Sequence, residues 1–114
     1  MSVGTQYDIE FDQGSTFQWD ITVYNTDGVT PLDISSMTVR SMLRKQYSDA
    51  APTETMNITY PNAALGQVRL TLSAAETAAM LKGRYVYDVE LEDAVGVVVK
   101  LYKGYAIVYP EATK

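Results

Sequence analysis

The sequence predicts an all-β protein, an antiparallel β-sandwich or barrel of about seven strands forming a single domain over residues 1–114. Most segments alternate apolar and polar residues with the period of two that is typical of half-buried strands. Turn-forming residues separate these segments at intervals of about 8–14 residues, as in sandwiches and barrels. No segment has the length of a long helix and no strand–helix–strand period recurs, which argues against a parallel α/β sheet.

The first three strands are predicted at residues 7–11, 16–24 and 37–43. The second has the most regular alternation in the chain, with Phe17, Trp19, Ile21 and Val23 on one face and polar residues on the other. We therefore expect that face to point inward and Trp19 to be a core residue. In the third strand, the same pattern predicts that Val39 and its alternate neighbours face the core.

Turn and loop residues separate the predicted strands, with glycine, proline, asparagine or aspartate in most of these connections. The loop at residues 25–28 is predicted to turn at its Asp-Gly pair, because glycine adopts the positive φ of such a turn at little cost. The other connections are predicted at residues 13–15, 31–34, 46–52, 61–66 and 92–96. Residues 53–60 form a further predicted strand with weaker alternation.

A strand, a short helix and a second strand are predicted in succession over residues 67–91. Ser73 and Glu76 have the S-x-x-E spacing of a capping box, in which each side chain accepts a hydrogen bond from a backbone N–H of the first helical turn. Gly83 is predicted to end the helix in a left-handed conformation. Tyr85 and Tyr87 then begin a strand whose inward face continues to residue 91.

The last predicted strand covers residues 97–109, either unbroken or divided by a β-bulge at Gly104. The bulge would decide the facing of three of the nine tyrosines, Tyr102, Tyr105 and Tyr109. Tyrosine is common in protein interfaces because it provides a large contact area with a polar tip. The sequence therefore leaves both a core and an interface role open for these three residues.

Composition excludes several classes of function. The net charge of −5 and the scattered basic residues argue against nucleic acid as a partner. There is no cysteine, and hence neither disulfide nor thiolate chemistry. No apolar run approaches the ~20 residues of a membrane helix, and the first residues lack the pattern of a signal peptide. We therefore expect a soluble protein, made in the cytoplasm, without a membrane partner.

The residues that most often perform catalysis are missing. Without histidine or cysteine, the common nucleophilic triads and most zinc sites cannot form. Paired carboxylates remain available for acid–base chemistry or calcium, and the candidates are Asp8, Glu10, Asp12, Asp20, Asp88, Glu90, Glu92 and Asp93. Alternation places most of them on the solvent face of strands, and no calcium-loop spacing occurs. We predict no catalytic, cofactor-binding or metal-binding residues, and no enzymatic activity.

The order of several short motifs is similar to that of a known family. The motifs are Q-G-S-T-F at residues 13–17, P-L-D-I at residues 31–34, R-S-M-L-R at residues 40–44, S-A-A-E-T at residues 73–77 and G-R-Y-V-Y-D at residues 83–88. Over residues 7–111 the chain resembles a small immunoglobulin-like β-sandwich that is common among tailed-bacteriophage structural proteins. That family includes the N-terminal domain of baseplate upper proteins.

The resemblance implies a non-enzymatic virion protein, an adaptor in the tail, baseplate or tail-fibre attachment region. Its partners would be other virion proteins, and a symmetric homo-oligomer within the particle is expected. We expect no receptor-binding or fibre domain within the 114 residues. A neck or capsid decoration protein therefore remains an alternative. A host-surface or carbohydrate-binding module is the other alternative, because β-sandwiches with exposed tyrosines also serve that purpose.

Overall fold

Two β-sheets pack face to face, as the alternating pattern predicts. The structure is a computed structural model that describes residues 5–46 and 53–111. The strands in this part of the chain are β1 (Thr5–Gln6), β2 (Ile9–Asp12), β3 (Phe17–Thr22), β4 (Thr38–Arg44), β5 (Glu54–Thr55), β6 (Asn57–Asn62), β7 (Gln67–Leu72), β8 (Gly83–Glu92) and β9 (Val98–Tyr109). One helix, α1 (Ala74–Ala78), and a 3-10 turn at Ala63–Leu65 complete the regular elements of the described residues. The prediction of an all-β sandwich is confirmed.

The larger sheet has the strand order β1-β9-β8-β4-β5, and β2 also pairs with β9. The smaller sheet has the order β3-β7-β6. All pairings are antiparallel except those of β1 and β2 with β9, which are parallel. β1 and β2 lie near the start of the chain and β9 lies near its end. The long stretch of chain between them allows the parallel pairing without a tight crossover connection.

The structure differs from the prediction at two strands. The first strand, predicted at residues 7–11, corresponds to β2 (Ile9–Asp12), and β1 (Thr5–Gln6) precedes the predicted range. The predicted strand at residues 53–60 is divided at Met56, whose side chain is buried. Residues on either side of Met56 pair in different sheets, β5 with β4 and β6 with β7. Alternation alone does not reveal such a change of sheet, because apolar side chains face the shared core from both sheets.

The core contains the inward-facing side chains of both sheets. The predicted inward residues of β4, β7 and β8 are buried, and they include Val39, Leu70 and Tyr87. Trp19 faces the core as predicted, but its side chain is only partly buried. The reason is that β3 lies at the edge of its sheet, where no further strand in the described residues covers the side chain.

β9 is a single strand, which is one of the two predicted alternatives, and its β-bulge lies at Leu101 rather than at Gly104. Val89 pairs with Tyr102 and Glu90 with Lys100, which leaves Leu101 unpaired. Gly104 pairs in register with Tyr87, and a Cβ atom at Gly104 would lie 2.6 Å from the carbonyl oxygen of Tyr7. Glycine is therefore required there by the close approach of the segment between β1 and β2.

Helix α1 begins with the predicted capping box. The Ser73 hydroxyl accepts a hydrogen bond from the Glu76 N–H, and the Glu76 carboxylate accepts one from the Ser73 N–H. The helix ends at Ala78, with Ala79 in a right-handed conformation, so Gly83 does not stop it. Gly83 instead begins β8. Most of the loop predicted at residues 46–52 lies outside the described residues.

Candidate interaction surfaces

The outer face of the larger sheet holds three of the candidate carboxylates in an ion-pair network. Arg40 lies 2.6 Å from Glu92 and 3.3 Å from Glu90, and Lys100 lies 2.8 Å from Asp88 and also contacts Glu90. Register explains this arrangement, since Arg40 pairs with Glu90 across β4 and β8, and Glu90 pairs with Lys100 across β8 and β9. These carboxylates are partners of cations on a solvent-facing sheet surface.

The pKa of Glu90 shows the chemical consequence of this network. The Lys100 ammonium donates a hydrogen bond to it and lowers its pKa, with a smaller contribution from Arg40. A carboxyl group with a lowered pKa is ionised at neutral pH and is a weak base, so it is poorly suited to proton transfer. The outer-face network is therefore a stabilising surface feature.

Four of the other five candidate carboxylates have separate structural partners, and the fifth is exposed. Asp20 pairs with Arg69 at 2.7 Å, and Asp93 accepts hydrogen bonds from the N–H groups of Val95 and Val97. Asp8 accepts a hydrogen bond from the Tyr105 N–H. The Glu10 carboxylate accepts one from the Tyr109 hydroxyl, and Asp12 is exposed at the end of β2. Among residues 5–46 and 53–111, no group of three acidic side chains is placed to hold a metal ion.

The tyrosines divide into core and surface groups. Tyr85 and Tyr87 are buried as predicted, and their hydroxyls donate hydrogen bonds to the carbonyl oxygens of Leu81 and Tyr7 respectively. Tyr105 and Tyr109 lie on the outer face of β9 and are 39% and 43% exposed. Tyr102 is partly buried and packs against the core. Two of the three tyrosines left open by the sequence are thus on the surface.

An aromatic cluster closes one lateral side of the sandwich, where β1 and β2 of one sheet approach β3 of the other. Trp19 stacks on Tyr7 with 5.2 Å between ring centroids, and its centroid lies 5.0 Å from that of Tyr102. Tyr87 contacts Trp19 from below, edge to face, at 6.1 Å. Tyr7 is 49% exposed, so the cluster extends from the core to the solvent-exposed surface.

A groove lies beside this cluster, between β2 and β3. It has a volume of about 390 Å³, and its lining residues are Tyr7, Asp8, Ile9, Glu10, Phe17, Gln18 and Trp19. We call it the edge groove. In this described set, four side chains are apolar or aromatic, two are carboxylates and none is positively charged. The edge groove is therefore lined mainly by apolar and aromatic side chains, with two carboxylates among its lining residues.

The edge groove was not predicted from the sequence. Alternation predicted strands at Tyr7 and at Trp19, but it did not predict that these two residues stack on each other across the two sheets. The parallel pairing of β2 with β9 brings β2 next to β3. Such a long-range pairing has no local sequence signal. Tyr7 is exposed although the rest of its predicted strand face is apolar. This exposure indicates a surface groove only when the strand order is known.

Comparisons with known proteins show the fold alone. No protein-family model and no curated protein matches the sequence. Among solved structures, the chain is similar to the GspB Siglec domain with a TM-score of 0.54 and 15% identity, over 91% of this chain and 54% of that one. It is also similar to a Listeria monocytogenes internalin-like protein, with a TM-score of 0.43 and 17% identity, over 95% of this chain and 28% of that one. The chain thus spans about half the length of the first structure. In the described residues, no helix is both long enough and apolar enough to span a membrane.

Proposed function

We propose that this chain is a non-enzymatic structural protein of a tailed-bacteriophage virion, an adaptor in the tail, baseplate or tail-fibre attachment region. The observation that carries the binding role is the lateral side of the sandwich at which the aromatic cluster and the edge groove meet solvent. The family resemblance of the sequence motifs supplies the virion context. The partners are other virion proteins, and neither nucleic acid nor a membrane is involved.

The physical basis of this role is burial of surface. Large aromatic side chains near the centre of a contact contribute most of its binding free energy, and Trp19 and Tyr7 provide such anchors. A specific contact buries at least ~1,000 Å² in total, which a sandwich of this size offers along one side. In a symmetric particle each copy repeats the same contact, so a modest affinity per copy suffices.

The decisive experiment is quantitative mass spectrometry of purified virions from the phage that encodes this chain. We expect the protein at a fixed ratio to a tail or baseplate protein, in step with the symmetry of that part of the particle. Particles stripped of their tails should lose it. The proposal fails if the protein is absent from purified virions, or if the isolated chain shows saturable turnover of a substrate.

The position in the particle separates the adaptor from its closest alternative, a neck or capsid decoration protein. Antibody labelling of intact particles followed by electron microscopy measures that position directly. Label at the tail tip or baseplate supports the adaptor. Label spread over the capsid, or confined to the head–tail junction, assigns the chain to decoration or neck and overturns the tail position.

A host-surface or carbohydrate-binding module is the second candidate, and the edge groove favours it. Exposed aromatic rings beside carboxylates can stack against the apolar face of a sugar ring and accept hydrogen bonds from its hydroxyls. Glycan-array binding by the isolated protein tests this candidate, with Trp19→Ala as the variant expected to abolish binding. Binding that Trp19→Ala leaves unchanged would exclude the edge groove as the sugar site.

A further inference from the structure

We propose that β3 accepts an extended segment of a partner protein as an additional strand of the smaller sheet, and that this segment alternates apolar and basic residues. The inference deepens the proposed function and rests on it, since it names how the chain docks and what chemistry its partner has. It is carried by the edge of β3, by the edge groove beside it and by the acidic charge of the chain.

Among residues 5–46 and 53–111, no strand pairs with the outer side of β3, and two of the other edge strands, β5 and β6, are short or irregular. Natural proteins shield sheet edges with proline, bulges or very short strands, because unpaired backbone groups attract other strands. β6, the opposite edge of the smaller sheet, contains Pro61 and an irregular register between Thr59 and Asn62. β5, an edge of the larger sheet, has two residues. β3 has six residues in unbroken register with β7 and none of these features.

The register identifies the backbone groups that are available for pairing. The N–H of Val23 donates to the carbonyl oxygen of Gly66, which continues the β3–β7 ladder. In an antiparallel pair, alternate residues direct their N–H and C=O groups toward the partner and away from it. Gln18, Asp20 and Thr22 therefore direct theirs toward the free side, and these three residues can bond to an added strand.

The side chains specify what the added strand carries. Its inward residues would lie over the edge groove, against Phe17, Trp19 and Tyr7, and should therefore be apolar. Its outward residues would lie beside Gln18 and Asp20 on the outer face of the smaller sheet, where the Asp20 side chain is 55% exposed although it also pairs with Arg69. Basic outward side chains match this carboxylate and the net charge of −5, whereas acidic ones are repelled. The alternation follows from the two faces of a strand.

Charge also decides between a foreign partner and a second copy of this chain. Pairing β3 with β3 of another copy would bring together two chains that each carry a net charge of −5, and these charges repel each other. A basic segment of a different protein removes this repulsion, so we assign the edge to a heterologous partner.

A synthetic peptide of alternating valine and lysine, long enough to cover β3, is the first probe. Amide hydrogen exchange on the full chain should show slower exchange at Gln18, Asp20 and Thr22 when the peptide binds, by at least about tenfold. A matched peptide with glutamate in place of lysine should bind at least about tenfold more weakly. Equal binding of the two peptides overturns the basic partner. No protection at these three amides with saturating peptide overturns strand addition at β3.

Two variants of Gln18 extend the test. Gln18→Pro removes an edge N–H without removing a bond to β7, so it should block the added strand while Gln18→Ala binds as the wild type does. Gln18→Lys keeps the backbone intact and should weaken binding of the lysine peptide and strengthen binding of the glutamate peptide. Gln18→Lys thus remains informative if the proline variant fails to fold. Unchanged binding by folded Gln18→Pro and Gln18→Lys overturns the proposal.

The outcomes separate this inference from the proposed function. If virions contain the protein but incorporate Gln18→Pro as well as Gln18→Ala, the virion role stands and docking at β3 is wrong. If the peptide protects β3 but virions lack the protein, strand addition stands and the virion role is wrong. The β3 amides could also become protected without peptide as the protein concentration rises. That result would show that a second copy of this chain pairs with β3, and it would overturn the proposal of a different partner protein.

Discussion

Thr77 lies in helix α1, and its buried polar side chain contacts the turn that follows β2. Its hydroxyl accepts a hydrogen bond from the Gly14 N–H at 3.0 Å and donates one to the Ser15 carbonyl oxygen at 2.7 Å. A buried backbone group that loses its partner costs more than the bond itself contributed. This one side chain therefore holds the turn at residues 12–15 against the helix.

Thr77→Val should lower the free energy of unfolding by about 1–3 kcal/mol, because valine has the same shape but leaves both backbone groups unbonded. Urea denaturation measures the change. Thr59→Val, at an exposed position in β6, is the matched control and should change stability by no more than about 0.5 kcal/mol. Equal effects of the two substitutions would contradict the structural role of the Thr77 hydroxyl.

Trp19 differs from a fully buried core residue because it stands on an edge strand. Trp19→Ala should destabilise the fold by about 2–3 kcal/mol, at or below the ~3–5 kcal/mol expected for a large aromatic residue in a closed core. The emission of this single tryptophan should be blue-shifted on folding, because Tyr7, Tyr87 and Tyr102 surround its ring. A water-like emission maximum in the folded protein would show that the aromatic cluster does not form.

At the scale of the element, the five residues of α1 are too few to be stable without capping. Ser73→Ala should therefore destabilise the protein by about 0.5–2 kcal/mol. Ser73→Asp should be nearly neutral, because an aspartate side chain can also accept the hydrogen bond from the Glu76 N–H. Thermal or urea unfolding of both variants gives the comparison. If the two variants lose the same stability, the Ser73 side chain does not act as the cap.

The attachment of β1 and β2 to β9 depends on Gly104, since a Cβ there would lie 2.6 Å from both the Tyr7 carbonyl oxygen and the Asp8 carboxylate. Gly104→Ala should cost about 1–3 kcal/mol and shift the amide resonances of residues 5–8 most strongly. Gly28→Asn is the control, because Gly28 has open space around its Cα and asparagine tolerates its positive φ. Resonance shifts spread evenly over the fold would argue against a local clash.

For the whole molecule, charge predicts how stability depends on pH. The pKa values of Asp20, Asp27, Asp33, Glu76 and Glu90 are all lowered in the fold by hydrogen bonds or by neighbouring cations. As the pH falls, the unfolded chain takes up protons first, so acid favours unfolding. This stability is fully present above the unfolded pKa values, near 3.8 for aspartate and 4.5 for glutamate, and is lost as the pH falls through the lower folded values.

We expect the free energy of unfolding to be nearly constant from about pH 6 to 8, because the chain has no histidine. It should fall below about pH 4.5, and Glu90→Gln should make that fall less steep. Above about pH 10 it should fall again, because the raised pKa values of Lys100 and Tyr85 mean that the unfolded chain loses its protons first. A stability maximum near pH 4 would contradict these directions.

Some features of the fold could be predicted from particular residues, and others could not. Alternation identified the buried faces of β4, β7 and β8, because a strand with one face on the core repeats every two residues. The Ser73–Glu76 spacing identified the start of α1, since capping depends on residues three apart. The end of α1 and the bulge at Leu101 were missed, because both depend on how distant strands align. The edge groove was missed for the same reason.

The sequence by itself determined the all-β class, the inward faces of the longer strands, the helix cap and the absence of histidine and cysteine chemistry. These features follow from local periodicity, from short-range hydrogen bonds and from composition. Only the tertiary structure decided that β1 and β2 pair in parallel with β9, that the chain changes sheets at Met56 and that β3 is an edge strand among the described residues. Strand order depends on contacts between residues far apart in the chain, and local pattern is nearly the same for every order that buries the same faces.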